Sequence, residues 1–175
     1  MTWFLMKMTL ATENDVDRLM DLIKACVEDM TSQGIYQWNE KYPNRQTIRN
    51  DVESESMHIL KGNNGVIAAI SINEEQPPEY RSLSWLDQEG RVLVLHRLAV
   101  NPKWQKQGVG GRILDYAENY AVDNGYTSIR LDTYSGNPRA LRLYERHQYR
   151  RVGQVRFPGR DLPFYCYEKI LRKRT

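Results

Sequence analysis

A strongly apolar run, Arg91 to Val100, passes with no linker into Asn101-Pro102-Lys103-Trp104-Gln105-Lys106-Gln107-Gly108-Val109-Gly110-Gly111. Ile113, Leu114, Ala117 and Ala121 then fall at helical spacing in a segment from Gly110 to Asn124 that Gly125 ends. Ile129 to Thr133 reads as the next strand and Asn137 to His147 as the next helix. Strand, helix, strand, helix in that order requires crossover connections and so a locally parallel sheet. Met57 to Lys61 and Val66 to Asn73, by contrast, flank Gly62-Asn63-Asn64-Gly65, a strong hairpin signal. A chain holding both units folds as a mixed α/β sheet, antiparallel in its first half.

The remaining segments fit that frame. Lys7 to Ala11 reads as a short strand, and Thr12-Glu13-Asn14-Asp15 as the capped start of a helix to about Met30. Val16, Leu19, Met20, Ile23 and Val27 form its inward stripe. Asn44 caps a second helix to about Ser54, and Arg151 to Val155 and Phe164 to Lys169 read as closing strands. Glu74 to Asp87, broken by Pro77-Pro78, is expected to be a surface loop. Without a repeat or long linker, residues 1–175 are expected to form one domain. A formal charge of +3, with basic residues scattered apart from Leu171-Arg172-Lys173-Arg174-Thr175, argues against a nucleic-acid binder. Cys26 and Cys166 lack metal-ligand spacing and read as buried apolar groups. Met1 to Met6 is apolar but too short for a membrane anchor and lacks the basic region of a signal peptide. The expectation is a cytoplasmic protein with no membrane partner and no metal.

The glycines carry the first functional hint. Bare N–H groups at a strand-to-helix turn, beside the positive end of a helix, suit a phosphate or pyrophosphate. Glycine also serves a tight turn with no ligand, so both readings stand on the loop alone. The spacing is neither that of a Walker loop nor the full dinucleotide fingerprint.

Taken with its surroundings, the loop says more. His96-Arg97-Leu98-Ala99-Val100-Asn101-Pro102, Gln105-Lys106-Gln107-Gly108-Val109-Gly110, Leu131-Asp132-Thr133 and Asn137 through Arg146 together resemble the GNAT superfamily of N-acetyltransferases. The Gln-x-x-Gly-x-Gly spacing is similar to that family's pyrophosphate loop, and Asn137 followed by Tyr144 to its second signature. One position departs: the family usually has glycine after the tyrosine-bearing helix, and here His147-Gln148-Tyr149 has glutamine.

The resemblance implies a central mixed sheet of about six to seven strands flanked by about four helices, with the central strands splayed. It implies acetyl-coenzyme A as co-substrate, its pyrophosphate on backbone N–H groups across Gln105, Lys106, Gln107, Gly108, Val109, Gly110 and Gly111. Lys106 and Arg112 either neutralise its charge or are simply solvated. Backbone groups of Leu98, Ala99 and Val100 would take the pantetheine arm, and Asn137 would reach toward it. Tyr144 is the implied acid for the departing thiolate, the alternative being core packing. For the base, His96 matches a strand histidine of the arylalkylamine branch. Packing of His96 with water-mediated proton removal is the open alternative. Tyr36 and Trp38, in the connection that covers the acceptor side in this family, would line an amine pocket or merely pack. The implied reaction is direct attack by a small-molecule or peptide amine in a ternary complex. A non-catalytic coenzyme A-binding module is the alternative, and a homodimer is compatible with either.

Overall fold

A computed structural model describes residues 6–171, so most of the Met1 to Met6 run and of the basic tail lies outside the described residues. Seven strands join in one sheet in the order β1-β2-β3-β4-β5-β7-β6. They are β1 (Met8–Leu10), β2 (Met57–Gly62), β3 (Gly65–Asn73), β4 (Val92–Val100), β5 (Ser128–Tyr134), β6 (Arg150–Val155) and β7 (Phe164–Ile170). The helices are α1 (Val16–Ser32), α2 (Arg45–Glu53), α3 (Val109–Asp123) and α4 (Pro138–Arg146). β4 and β5 are parallel, as the crossover through α3 demands, while β1/β2, β2/β3, β5/β7 and β6/β7 are antiparallel. The parallel arrangement expected for the second half is therefore confined to one pair: β7 inserts between β5 and β6 and runs against both.

The chain divides into two compact units, passing from one to the other after Ile72, after His96 and after Ile113. The first holds the chain up to Ile72 together with Arg97–Ile113. Its core gathers Val16, Leu19, Leu22, Ile23 and Cys26 of α1, Ile48 and Val52 of α2, Met57 and Ile59 of β2, and Ala99. The start of α1 shows how local chemistry sets this packing. A 3₁₀ turn, Glu13–Asp15, precedes the α-helix that the sequence alone would start at Thr12. Asp15 accepts from the Thr12 N–H (2.9 Å) and hydroxyl (3.0 Å) and pairs with Lys61 of β2 (2.9 Å). The hairpin forms as its glycines predict, with Gly62 opposite Gly65 and Gly65 at φ +137°.

The second unit holds Asn73–His96 and the chain from Leu114 on. Leu114, Ala117 and Ala121 of α3 and Ile129 and Leu131 of β5 are fully or nearly fully buried. Glu74–Asp87 is irregular and mostly exposed, as expected of a surface loop, apart from a 3₁₀ turn, Pro78–Ser82, and two buried anchors. Tyr80 and Trp85 are buried, and the Trp85 indole N–H donates to the Tyr80 carbonyl (2.9 Å). Arg130 of β5 stacks on the Trp85 ring (4.3 Å) and pairs with the buried Glu168 of β7 (3.0 Å). It also donates to Gln76 (2.8 Å) and to the Asp87 carbonyl. Because a buried guanidinium must satisfy its donors, it gathers an irregular segment over the strands.

Candidate functional site

The glycine-rich loop belongs to the first unit. Asn101 caps a 3₁₀ turn, Pro102–Trp104, its side chain accepting from the Lys103 N–H (3.1 Å). Then Lys106 (φ +60°) and Gly108 (φ +82°) both take left-handed backbone. Such alternation turns successive N–H groups toward one side, the arrangement of an anion-binding nest. α3 starts at once, and its first outside-in bond runs from the Arg112 N–H to the Gly108 carbonyl (3.2 Å). The N–H groups of Val109, Gly110 and Gly111 thus precede the helix's own ladder. The Val109 side chain is buried at 1% exposure, so this residue can offer a ligand backbone only. Lys106 is exposed, whereas Arg112 donates to the Met6 carbonyl.

Next to the loop, β4 is not a regular strand. Arg97 sits at φ +51° in mid-strand, and the parallel register with β5 runs from Val92↔Ser128 to Leu95↔Leu131 and stops. A residue in this conformation bends a strand and breaks its alternation. Arg97 is held by a two-pronged pair with Asp51 of α2 (2.6 Å each) and by the Tyr42 hydroxyl (3.1 Å). The Val100 carbonyl already accepts from Cys26 Sγ (3.4 Å) and from the Gln105 side chain (3.0 Å). With both lone pairs engaged, Val100 offers a ligand its N–H rather than its carbonyl. Trp38 lies in the core cluster at 7% exposure, leaving little surface for a ligand, whereas Tyr36 is 56% exposed.

His96, Asn137 and Tyr144 belong to the second unit. His96 is half-buried, with Nε2 2.9 Å from the Asn73 Oδ1. Asn137 caps α4, accepting from the Ala140 N–H (3.2 Å), with Pro138 in the first turn. That geometry fixes the helix on which Tyr144 stands two turns in. The Tyr144 ring packs edge-on against Tyr149 (6.0 Å) and tilted against Tyr167 (6.1 Å). Burial, then the Asp132 carboxylate and Tyr167, push its phenol well above the ordinary tyrosine range. Asp132 itself accepts from the Tyr80 hydroxyl (2.7 Å).

A family model described as acetyltransferase (GNAT) family matches residues 18–149. The chain belongs to the GNAT family. An uncharacterised N-acetyltransferase of Bacillus subtilis, YesJ, is 28% identical over 163 residues, covering 91% of this chain and 87% of that one. A bovine thialysine N-ε-acetyltransferase is 33% identical over 57 residues, a third of each chain (33% and 34%). Among solved structures, a GNAT acetyltransferase from Streptococcus agalactiae superposes with a TM-score of 0.82 at 22% identity, covering 96% of both chains.

GNAT membership puts the Gln148 departure in context. Gln148 stands at φ +63°, so the turn keeps the left-handed backbone that glycine adopts easily, with glutamine in its place. Its N–H donates to the Glu145 carbonyl (3.0 Å) and that of Tyr149 to the Tyr144 carbonyl (3.1 Å), closing the helix. Sequence reading missed Asp51, Asn73 and Tyr80 in this GNAT chain. Each is an ordinary polar residue whose partner lies 23 or more positions away. Among the described residues there is no cluster of three or more potential metal ligands, and no helix is long and apolar enough to cross a membrane.

Proposed function

We propose that this GNAT chain is an acetyl-coenzyme A-dependent N-acetyltransferase that moves an acetyl group to a primary amine by direct attack in a ternary complex. The observation that carries this reading is the loop. Left-handed backbone at Lys106 and Gly108 leads into a helix whose first N–H groups lie outside its own ladder, which suits the diphosphate of coenzyme A. The residues fit that group: Gly108, Gly110 and Gly111 put no side chain in its way, and Lys106 adds positive charge. Backbone groups of Leu98 and the N–H of Val100 suit the amides of the pantetheine arm. The acetyl thioester, when bound, supplies an activated acyl group.

The chain's own residues handle the protons. An amine must lose a proton to attack, and His96 takes it, directly or through a water. Tyr144 keeps its proton at every working pH and directs the hydroxyl to the departing sulfur. The bovine relative is named for transfer to an ε-nitrogen, which supports an amine at the end of an alkyl chain as acceptor. Tyr36, exposed, is the aromatic available to flank such a cation, while Trp38 shapes the segment from within.

The test is titration calorimetry with acetyl-coenzyme A, followed by an acetyl-transfer screen over alkyl amines, amino acids and peptide N-termini. Binding at saturating ligand, at about 100 times the dissociation constant, should raise stability by about 2.7 kcal/mol. No binding to the intact chain sinks the co-substrate. Binding with no transfer or hydrolysis on any amine would leave a coenzyme A-binding module instead.

A further inference from the structure

We infer that Tyr42 is a specificity-determining residue of the acceptor site, its hydroxyl donating a hydrogen bond to a neutral carbonyl oxygen carried by the acceptor amine. Tyr42 is 40% exposed, yet the fold holds it at both ends. Its backbone N–H donates to the Asn39 side-chain oxygen (3.0 Å), and its carbonyl accepts from the Asn39 N–H (3.0 Å). Its hydroxyl oxygen accepts from Arg97 (3.1 Å), whose guanidinium the two-pronged pair with Asp51 fixes in turn. An exposed side chain ordered beforehand gives up little entropy when a ligand meets it.

The bond to Arg97 also decides what Tyr42 offers. A guanidinium has donors and no acceptor, so Arg97 fills a lone pair of the phenol oxygen and the O–H points elsewhere. Among the described residues no acceptor receives that O–H. The adjacent cation polarises it and makes it a better donor. Charge then narrows the guest. Asp51 already balances Arg97, and Glu40 and Lys41, exposed beside Tyr42, are one of each sign. A carboxylate would meet Asp51 with no cation left over, and an ammonium would meet a donor; a neutral carbonyl oxygen suits both charge and hydrogen bond. The location rests on the proposed coenzyme A reading. With the diphosphate on the 105–111 loop and the pantetheine arm along Val100 and Leu98, the acetyl end lies past Leu98, beside Arg97, in the same unit as Tyr42. The residue at the acetyl end is thus the one that fixes the tyrosine.

The experiment compares amines that share one alkyl chain: Nα-acetyl-lysine amide, with neutral carbonyls; Nα-acetyl-lysine, with a carboxylate; and pentylamine, with neither. Titration calorimetry on the full chain with coenzyme A present reads acceptor binding without turnover. The wild type should bind the amide more tightly than the other two. Tyr42→Phe keeps the ring and removes the donor, so the ratio of amide to pentylamine affinity should drop about 2- to 10-fold, the equivalent of one neutral hydrogen bond. Pentylamine binding and the KM for acetyl-coenzyme A should hold, whereas a merely structural tyrosine would move every amine together. A wild type that binds all three alike, or a ratio that Tyr42→Phe leaves unchanged, overturns the inference. So does a fall in kcat common to all three amines, which would aim the phenol at the reacting carbonyl instead. Absence of transfer to any amine, with the ratio still dependent on Tyr42, would sink the acetyltransferase reading and leave the role of Tyr42 standing.

Discussion

A tyrosine that donates to a leaving thiolate works between two pKa values, and at Tyr144 these are far apart. Phenols titrate near 10 and thiols near 8.5 in water. Burial, Asp132 and Tyr167 push Tyr144 higher still. Moving its proton fully to sulfur is uphill by more than about 2 kcal/mol at about 1.4 per unit. In the proposed reaction the resemblance makes Tyr144 the acid for the thiolate, and a raised phenol pKa would favour a hydrogen bond to the developing charge over complete proton transfer. A bond of that type contributes about 1.5–3 kcal/mol, so Tyr144→Phe should lower kcat by about 10- to 150-fold. Affinity for acetyl-coenzyme A should hold, and so should stability, since the ring contacts with Tyr149 and Tyr167 survive. Single-turnover kinetics reads the step: a loss above about 10³-fold would mean full proton transfer, in the range of general acid catalysis. Unchanged kcat would leave Tyr144 a packing residue. At this scale the sequence names residue types well and their states poorly, because a phenol's state depends on neighbours such as Asp132 and Tyr167 brought in by the fold.

At the scale of elements, β4 carries a strained residue in mid-strand. A non-glycine residue in left-handed backbone costs about 1–2 kcal/mol, and Arg97 holds it because its guanidinium is clamped by Asp51. Their side chains are only 13% and 9% exposed, so removing one partner strands a charge. Asp51→Ala should cost about 3–5 kcal/mol in urea unfolding. Asp51→Ala/Arg97→Gly should be the more stable of the two variants, since the charge is gone and glycine adopts the backbone freely. A double variant no more stable than the single would show that the pair is not what holds this backbone conformation. This explains which elements the sequence discloses. The hairpin, α3 and α4 are written in local signals: Gly62 to Gly65, the stripe Ile113, Leu114, Ala117 and Ala121, and Asn137-Pro138. The left-handed backbone at Arg97 and the packed side chains Tyr80 and Trp85 depend on partners distant in sequence. Arginine, unlike glycine, gives no sign of a positive φ.

For the whole molecule, the described groups with shifted titrations that bear on acid stability are the His58 imidazole and a set of carboxylates. His58 is buried on β2 at 5% exposure, and burial pulls its pKa below the ordinary 6.5. The folded form then binds a proton less readily than the unfolded form. Its contribution is complete above about 6.5 and is lost as pH falls from there to the folded value. Carboxylates act lower. For Asp15, burial pushes upward but the Thr12 N–H and hydroxyl and Lys61 outweigh it; Thr127 holds Asp87 down. The Tyr126 hydroxyl and Arg91 do the same for Glu74, and Arg45 for Asp17. Depressed carboxylates stabilise above their unfolded values, 3.8 for aspartate and 4.5 for glutamate, and lose that contribution as pH falls through the folded ones. Between pH 6.5 and 4.5 His58 is therefore a predicted source of destabilisation. Each unit of lowering is worth about 1.4 kcal/mol, about half a molar in urea midpoint for a chain of this size. His58→Gln keeps a polar side chain and removes the titration. Its urea midpoint should stay level from pH 7.5 to 5 where the wild type falls, and both should drop together below about pH 4. A variant that declines in parallel with the wild type between pH 7.5 and 5 would clear His58 and place the acid sensitivity on another group.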